Sequence, residues 1–178
     1  MRYFLAIELP EEVRSELIAL QNSLKKLNLF TGSYVAPENL HVTLMFFGFL
    51  ELKEHNLIKQ TLNASIYEPC TLQLGTLEVP QWTPPRLLWV TTPSESLSAV
   101  YQRLREAFSQ YAKKRSFVPH ITLARIKKVP NPELLRTSLN QQTFTPLMWN
   151  ASQLSLFASE TDLHRPVYRI IEHFGLKK

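Results

Sequence analysis

The chain has 178 residues, 44% of them hydrophobic and 20% charged, a balance that supports a packed globular core and excludes a disordered or fibrous chain. Twenty Lys and Arg against fifteen Asp and Glu leave a net charge of +5, which suits a polyanionic partner but equally a basic protein without one. Cys70 is the lone cysteine, which excludes an intramolecular disulfide and argues against a thiolate zinc site.

Residues 1–8 are too short and too soon interrupted by charge for a signal peptide. No apolar run approaches the roughly 20 residues that span a bilayer, so a soluble, cytoplasmic protein is expected. The aromatic and branched run 3–8 reads as a strand. Pro10-Glu11-Glu12 then opens a helix on which Val13, Leu17, Leu20 and Leu24 recur at helical spacing, and Lys25-Lys26 close its last turn. Residues 31–39 read as loop, and residues 40–47 as a strand that Gly48 ends. A second helix is expected over 53–64, followed by strands at 71–79 and 87–91 on either side of a proline-rich stretch at 80–85. Residues 95–114 form a long amphipathic pattern with Leu97, Val100, Tyr101, Leu104, Ala107, Phe108 and Tyr111 on one side. A strand follows at 117–126; its Pro119 has no N–H for a ladder, so the strand begins at His120 or lies at a sheet edge. A short helix at 132–139 and strands at 153–158 and 168–174 complete the pattern. With no linker in sight, 1–178 reads as a single domain.

Two short segments stand out, His41-Val42-Thr43-Leu44 and His120-Ile121-Thr122-Leu123, their histidines 79 residues apart. On a strand, residues two apart share a face. His41 and Thr43 therefore look one way while Val42 and Leu44 look the other, and the second segment does the same. A single histidine in such a strand is usually a structural residue. Two among five that share both the Thr and the Leu offsets are a repeat, roughly a one-in-a-few-thousand coincidence under ordinary residue usage. Each half also offers a helix before the motif and another after it, so a duplicated lobe would set the two motifs face to face. Histidine titrates near neutrality and can give or take a proton; a threonine hydroxyl can donate to a phosphate oxygen. Such a pair on opposite sides of a phosphorus atom supplies the acid, the base and the donors of phosphodiester hydrolysis, with no metal or other cofactor needed.

These motifs, together with Arg2-Tyr3-Phe4-Leu5-Ala6-Ile7-Glu8-Leu9-Pro10 and the Pro37-Glu38-Asn39-Leu40 lead-in to His41, resemble the 2H phosphoesterases. So do Pro85-Arg86-Leu87-Leu88-Trp89-Val90, Phe117-Val118-Pro119 before His120, Ala124-Arg125 after it, and Leu154-Ser155-Leu156-Phe157-Ala158-Ser159. Within that superfamily the pattern is most similar to the RNA 2',3'-cyclic phosphodiesterases, also called 2'-5' RNA ligases. The resemblance implies an α+β, bilobal, pseudo-twofold fold, with two antiparallel sheets flanked by helices around a central cleft. It implies hydrolysis of RNA 2',3'-cyclic phosphate ends to 2'-phosphomonoesters, and a reversible 2'-5' ligation of tRNA halves. It further implies His41 as proton donor, His120 as proton acceptor, and Thr43 and Thr122 as phosphate contacts. Many relatives carry a basic residue where this chain has Met45. Another 2H substrate, such as ADP-ribose 1'',2''-cyclic phosphate or a 2'-5' oligoadenylate, or a non-catalytic RNA-binding module, is the competing reading.

Other residues are weighed beside the motifs. Arg125, three after Thr122, faces away from His120 in an ideal strand, and a bulge would bring it to the phosphate. Arg86 at a strand entrance reads as a guanidinium that steers RNA or as a solvated charge. Phe46, Phe47 and Trp82 have faces on which a base can stack; neighbouring Phe46 and Phe47 point opposite ways, and Phe47 is assigned to the substrate. His55 reads as an exposed helix residue, and His164 and His173 as structural or surface residues. Lys113-Lys114-Arg115 suits a basic helix C-terminus or an RNA backbone contact. The expected partners are RNA ends or small cyclic nucleotides, bound by a monomer.

Overall fold

A computed structural model of the protein describes residues 1–112, 116–162 and 165–177; Lys113–Arg115 and His164, weighed above, lie outside the described residues. The chain runs β1 (Arg2–Glu8), α1 (Glu11–Leu27), β2 (Thr31–Tyr34), a 3-10 turn (Pro37–Asn39), β3 (His41–Phe49), α2 (Leu52–Ala64), β4 (Cys70–Gln73) and β5 (Leu77–Glu78). It continues with β6 (Leu87–Thr91), α3 (Glu95–Ala107), a 3-10 turn (Ser109–Tyr111), β7 (His120–Lys128), α4 (Pro132–Asn140), β8 (Met148–Ala151), β9 (Gln153–Asp162) and β10 (Arg165–Gly175). Helix starts follow their caps: Ser94 and Asn131 accept from the backbone N–H of Leu97 and Leu134, and Glu51 with Glu54 forms a reciprocal capping box. Asn28, in the left-handed region at φ 47°, closes α1.

Eight strands form one antiparallel sheet in the order β10-β9-β1-β3-β7-β6-β5, with β2 also paired to β7. It consists of two four-stranded halves that meet at one pair, Val42 on β3 opposite Ile121 on β7. The element succession repeats accordingly: β1, α1, β3, α2, β4 in the first half and β6, α3, β7, α4, β8 in the second. The last strand of each repeat pairs with the other, Cys70 opposite Ala151, in a separate two-stranded sheet. All four helices cover one side of the large sheet. Their apolar residues, among them Leu17, Ile58, Leu97 and Leu135, share a single buried cluster with Ile7, Val42, Leu88 and Ile121. The opposite side carries a smaller cluster of Phe4, Ala6 and Phe157 under Tyr168. That helix-free side is the one on which the motif histidines stand.

Several expected boundaries move. Residues 31–34, read as loop, are a strand, because Gly32 has no Cβ to meet the Arg125 carbonyl, which would stand 2.1 Å away. The expected strand at 71–79 splits between the two sheets: the chain turns at Gly75, where a Cβ would lie 2.4 Å from Thr91 Oγ1. Gly48 does not end its strand but sits inside it at φ +77°. The helix expected to reach 114 stops at Ala107, and Phe108 leads into the 3-10 turn. No helix among the described residues is long and apolar enough to cross a membrane.

Candidate active site

The two motif strands are built alike. The first seven residues of β3 and of β7 show one burial pattern, alternating up to Leu44 and Leu123 and then breaking step. The break is a bulge in each. Leu5 pairs with Met45 and Ala6 with Thr43, so Leu44 is skipped; Leu88 pairs with Ala124 and Trp89 with Thr122, so Leu123 is skipped. A bulge inserts one residue and reverses the facing of everything beyond it. Phe46 and Arg125, equivalent positions of the repeat, thus return to the face of the histidines.

His41, Thr43, His120, Thr122 and Arg125 line a single cavity of about 380 Å³ between the halves. Phe46, Leu87, Trp89, Tyr101, Tyr111, Phe117 and Tyr168 supply its walls. Two of the sequence assignments lie elsewhere. Phe47 is 5% exposed and packs edge-on against Phe108 and Tyr111 in the core, because the bulge turns it inward. Of the two neighbours it is Phe46, 49% exposed, that faces the cavity. Arg86 is exposed but does not line the cavity, since its neighbour Leu87 takes the inward place. Trp82 is outside as well, beneath the Arg136 guanidinium at 4.6 Å. Met45, which follows the first motif, is 3% exposed and belongs to the core.

Both imidazoles are oriented by the same device. His41 Nδ1 donates to the Asn39 carbonyl and His120 Nδ1 to the Val118 carbonyl, each at 2.7 Å. A carbonyl only accepts, so Nδ1 carries the proton of the neutral ring and Nε2 holds the lone pair. His41 Nε2 meets the Thr43 hydroxyl at 2.8 Å. Asn39 is itself anchored: its side-chain amide donates to the Pro166 carbonyl at 2.9 Å.

The surroundings of the two rings differ. His41 sits among Phe4 at 5.0 Å, Tyr168 at 5.5 Å and Phe157 at 6.0 Å between ring centroids. Burial there pushes its pKa down from 6.5 to about 4; the positive side chains of Arg125 and Arg14 and the facing His120 add to that, while the Asn39 hydrogen bond opposes it. His120 lies against the Trp89 indole, at 3.9 Å between ring centroids. The sequence assigns neither ring contact, Trp89 or Tyr168, to the site, nor the further walls Leu87, Tyr101, Tyr111 and Phe117. Trp89 was visible in the Pro85–Val90 segment, whereas nothing local marks Tyr168, which reaches His41 from the far edge of the sheet. The remaining described histidines are structural: His55 is half-buried against Tyr3 at 5.0 Å rather than exposed, and His173 bonds to Ser155 at 2.9 Å. Among the described residues no cluster of three or more His, Cys, Asp or Glu side chains could hold a metal ion.

Residues 9–163 match the model of the 2'-5' RNA ligase superfamily. The chain belongs to that superfamily. The similarity extends over nearly the whole chain in individual relatives. The RNA 2',3'-cyclic phosphodiesterase of Methanocaldococcus jannaschii is 28% identical, covering 98% of this chain and 100% of its own. That of Thermus thermophilus is 31% identical over 99% of this chain and 91% of its own. Among solved structures, a Thermus thermophilus protein superposes with a TM-score of 0.79 at 27% identity, covering 99% of this chain and 98% of that one. Escherichia coli LigT complexed with 3'-AMP gives 0.76 at 25% identity, with the same coverage. The α+β architecture, with its two antiparallel sheets, is thus the one that the resemblance implies.

Proposed function

We propose that the protein hydrolyses RNA 2',3'-cyclic phosphate ends to 2'-phosphomonoesters, with His41 as proton donor and His120 as proton acceptor. One observation carries this reading: the two halves bring two imidazoles into one cavity, each with Nδ1 tied to a main-chain carbonyl so that Nε2 is the reactive nitrogen. Water attacks the phosphorus while His120 Nε2 takes its proton. The bond from phosphorus to O3' breaks, and O3' takes the proton of His41. Thr43, Thr122 and Arg125 line the same cavity and supply donors to the phosphoryl oxygens, and Phe46 offers a face to the base. His41 is neutral in the free protein; an anionic phosphodiester placed against it favours the protonated ring, so the acid forms as the substrate binds.

The reverse step, with a 5'-hydroxyl in place of water, forms a 2'-5' linkage, so ligation of RNA halves such as tRNA halves uses the same pair. Both histidines come from one chain, and the catalytic unit is the whole chain, 1–178, acting as a monomer. The names of the relatives support the substrate class.

The test is incubation with 2',3'-cyclic AMP and with a cyclic-phosphate-ended oligonucleotide, read by phosphorus NMR. A 2'-phosphate is the expected product, formed also in excess EDTA; a 3'-phosphate as the main product overturns the expulsion of O3', and absence of turnover overturns the function. His41→Ala and His120→Ala are each expected to lower the rate roughly 10²-fold or more, and ligation in parallel, as lost acid–base catalysis requires.

A further inference from the structure

The repeat that places the two histidines is broken at one position beside them. Thr43 has Ala6 as its cross-strand partner, whereas Thr122 has Trp89. A methyl group in the first half therefore stands where the second half has an indole. Trp89 reaches diagonally from Thr122 to the neighbouring His120, whose own ladder partner is Thr91. The rings lie 3.9 Å apart between centroids with 34° between their planes, so the imidazole rests on the indole face.

The indole is held from its other side. Trp89 Nε1 donates to Glu78 Oε1 at 3.0 Å, and Glu78 is its direct partner across the β5–β6 ladder. A carboxylate accepting from the indole N–H makes the bond a charge-assisted one and pushes electron density into the ring. The ring face is where a cation is attracted. His41, with its three aromatic neighbours and buried setting, has no counterpart of this carboxylate-backed indole among the described residues.

We infer that Trp89 is a positioning residue for His120: its indole face, fixed and polarised by Glu78, holds the imidazolium that forms as His120 takes the proton of the attacking water. This rests on the acceptor role proposed above for His120. The other titratable or charged groups sharing the cavity, among the described residues, are His41 from β3, Arg125 from the same strand as His120, Tyr101 from α3, Tyr111 from the following 3-10 turn and Tyr168 from β10. His41 and Arg125 oppose a second positive charge when cationic, and the indole offsets them without adding a charge of its own to the cleft.

The experiment is an NMR titration of the His120 ring resonance in the free, full-length protein. Trp89→Leu is expected to move the His120 midpoint to lower pH by roughly half a unit to one unit, the size of a partly desolvated cation–π contact. Trp89→Phe, which keeps a face but loses the N–H, restores most of that shift. The limb of the kcat/KM profile that reports His120 moves in step with the midpoint. A midpoint unchanged in Trp89→Leu overturns the inference. Should that variant not fold, Glu78→Gln carries the test, since it preserves the hydrogen bond and removes the charge: a smaller fall supports the inference and no change overturns it. Because the titration is read without RNA, its outcome is independent of turnover by the unaltered protein, and failure of the hydrolase reading is seen separately.

Discussion

His41 shows how one residue's setting reaches both stability and chemistry. Its folded pKa of about 4 lies below the ordinary 6.5, so above pH 6.5 the ring is neutral folded or unfolded and contributes no pH dependence. Between 6.5 and 4 the unfolded chain takes up a proton that the folded chain refuses, and stability falls as the pH falls through that window. Urea unfolding at pH 7 and pH 4.5 should show a loss at acid pH that His41→Gln reduces, by at most about 3 kcal/mol; an equal acid loss in both proteins would refute the burial argument. The neighbouring phenylalanines separate two roles in the same way. Phe46→Ala is expected to raise KM for a cyclic nucleotide roughly 5- to 100-fold, as loss of one base stack implies, with little change in urea midpoint. Phe47→Ala should cost about 3–5 kcal/mol of stability, because it empties a core site beside Phe108. Interchanged outcomes would return Phe47 to the cleft.

At the scale of elements, the paired bulges in β3 and β7 decide which side chains reach the substrate. Alternation along a strand is legible from residue types, and it assigns His41, Thr43, His120 and Thr122 to one face. A one-residue insertion in the pairing is not legible, because it depends on which partner residues the ladder skips, here opposite β1 and β6. That is why Arg125 comes back to the cleft and Phe47 leaves it. The edge strand β2 secures the second bulge from outside, with Ser33 opposite Arg125 and Gly32 opposite Ile126. A methyl group at Gly32 would meet the Arg125 carbonyl at 2.1 Å, and the obstacle is backbone, which cannot swing aside. Gly32→Ala is therefore expected to lower stability by about 1–3 kcal/mol and to weaken substrate binding through displacement of Arg125. Unaltered thermal unfolding in this variant would show that β2 is not closely paired to β7.

Across the whole molecule, the first half supports the bulge of the second. Leu123, skipped by β6, directs its carbonyl to the side-chain amide of Gln21 on α1 and to the backbone N–H of Val35, at 2.9 and 2.8 Å. Gln21 is 1% exposed and also donates to the Val35 carbonyl at 2.9 Å. Gln21→Leu, similar in bulk but without donors, should cost about 1–3 kcal/mol, because the Val35 carbonyl loses its side-chain donor and the Leu123 carbonyl keeps only the Val35 N–H, and should raise KM because Arg125 lies two residues beyond the bulge. Full stability in a denaturant titration of that variant would remove Gln21 from this role. The sequence by itself determined the helices, the strand at His120, the repeated His-x-Thr-Leu pair and the membership they announce, because amphipathic spacing, caps and face-sharing are local properties of consecutive residues. Only the tertiary structure decided that residues 31–34 are a strand, that Phe46 rather than Phe47 faces the cavity, that Tyr168 and Trp89 flank different histidines, and that Gln21 joins the halves. Each of these depends on a backbone or ring brought close from a distant part of the chain: the ladders within each half settle the Phe46 facing and the two ring contacts, and the packing of α1 and β2 against β7 settles the other two.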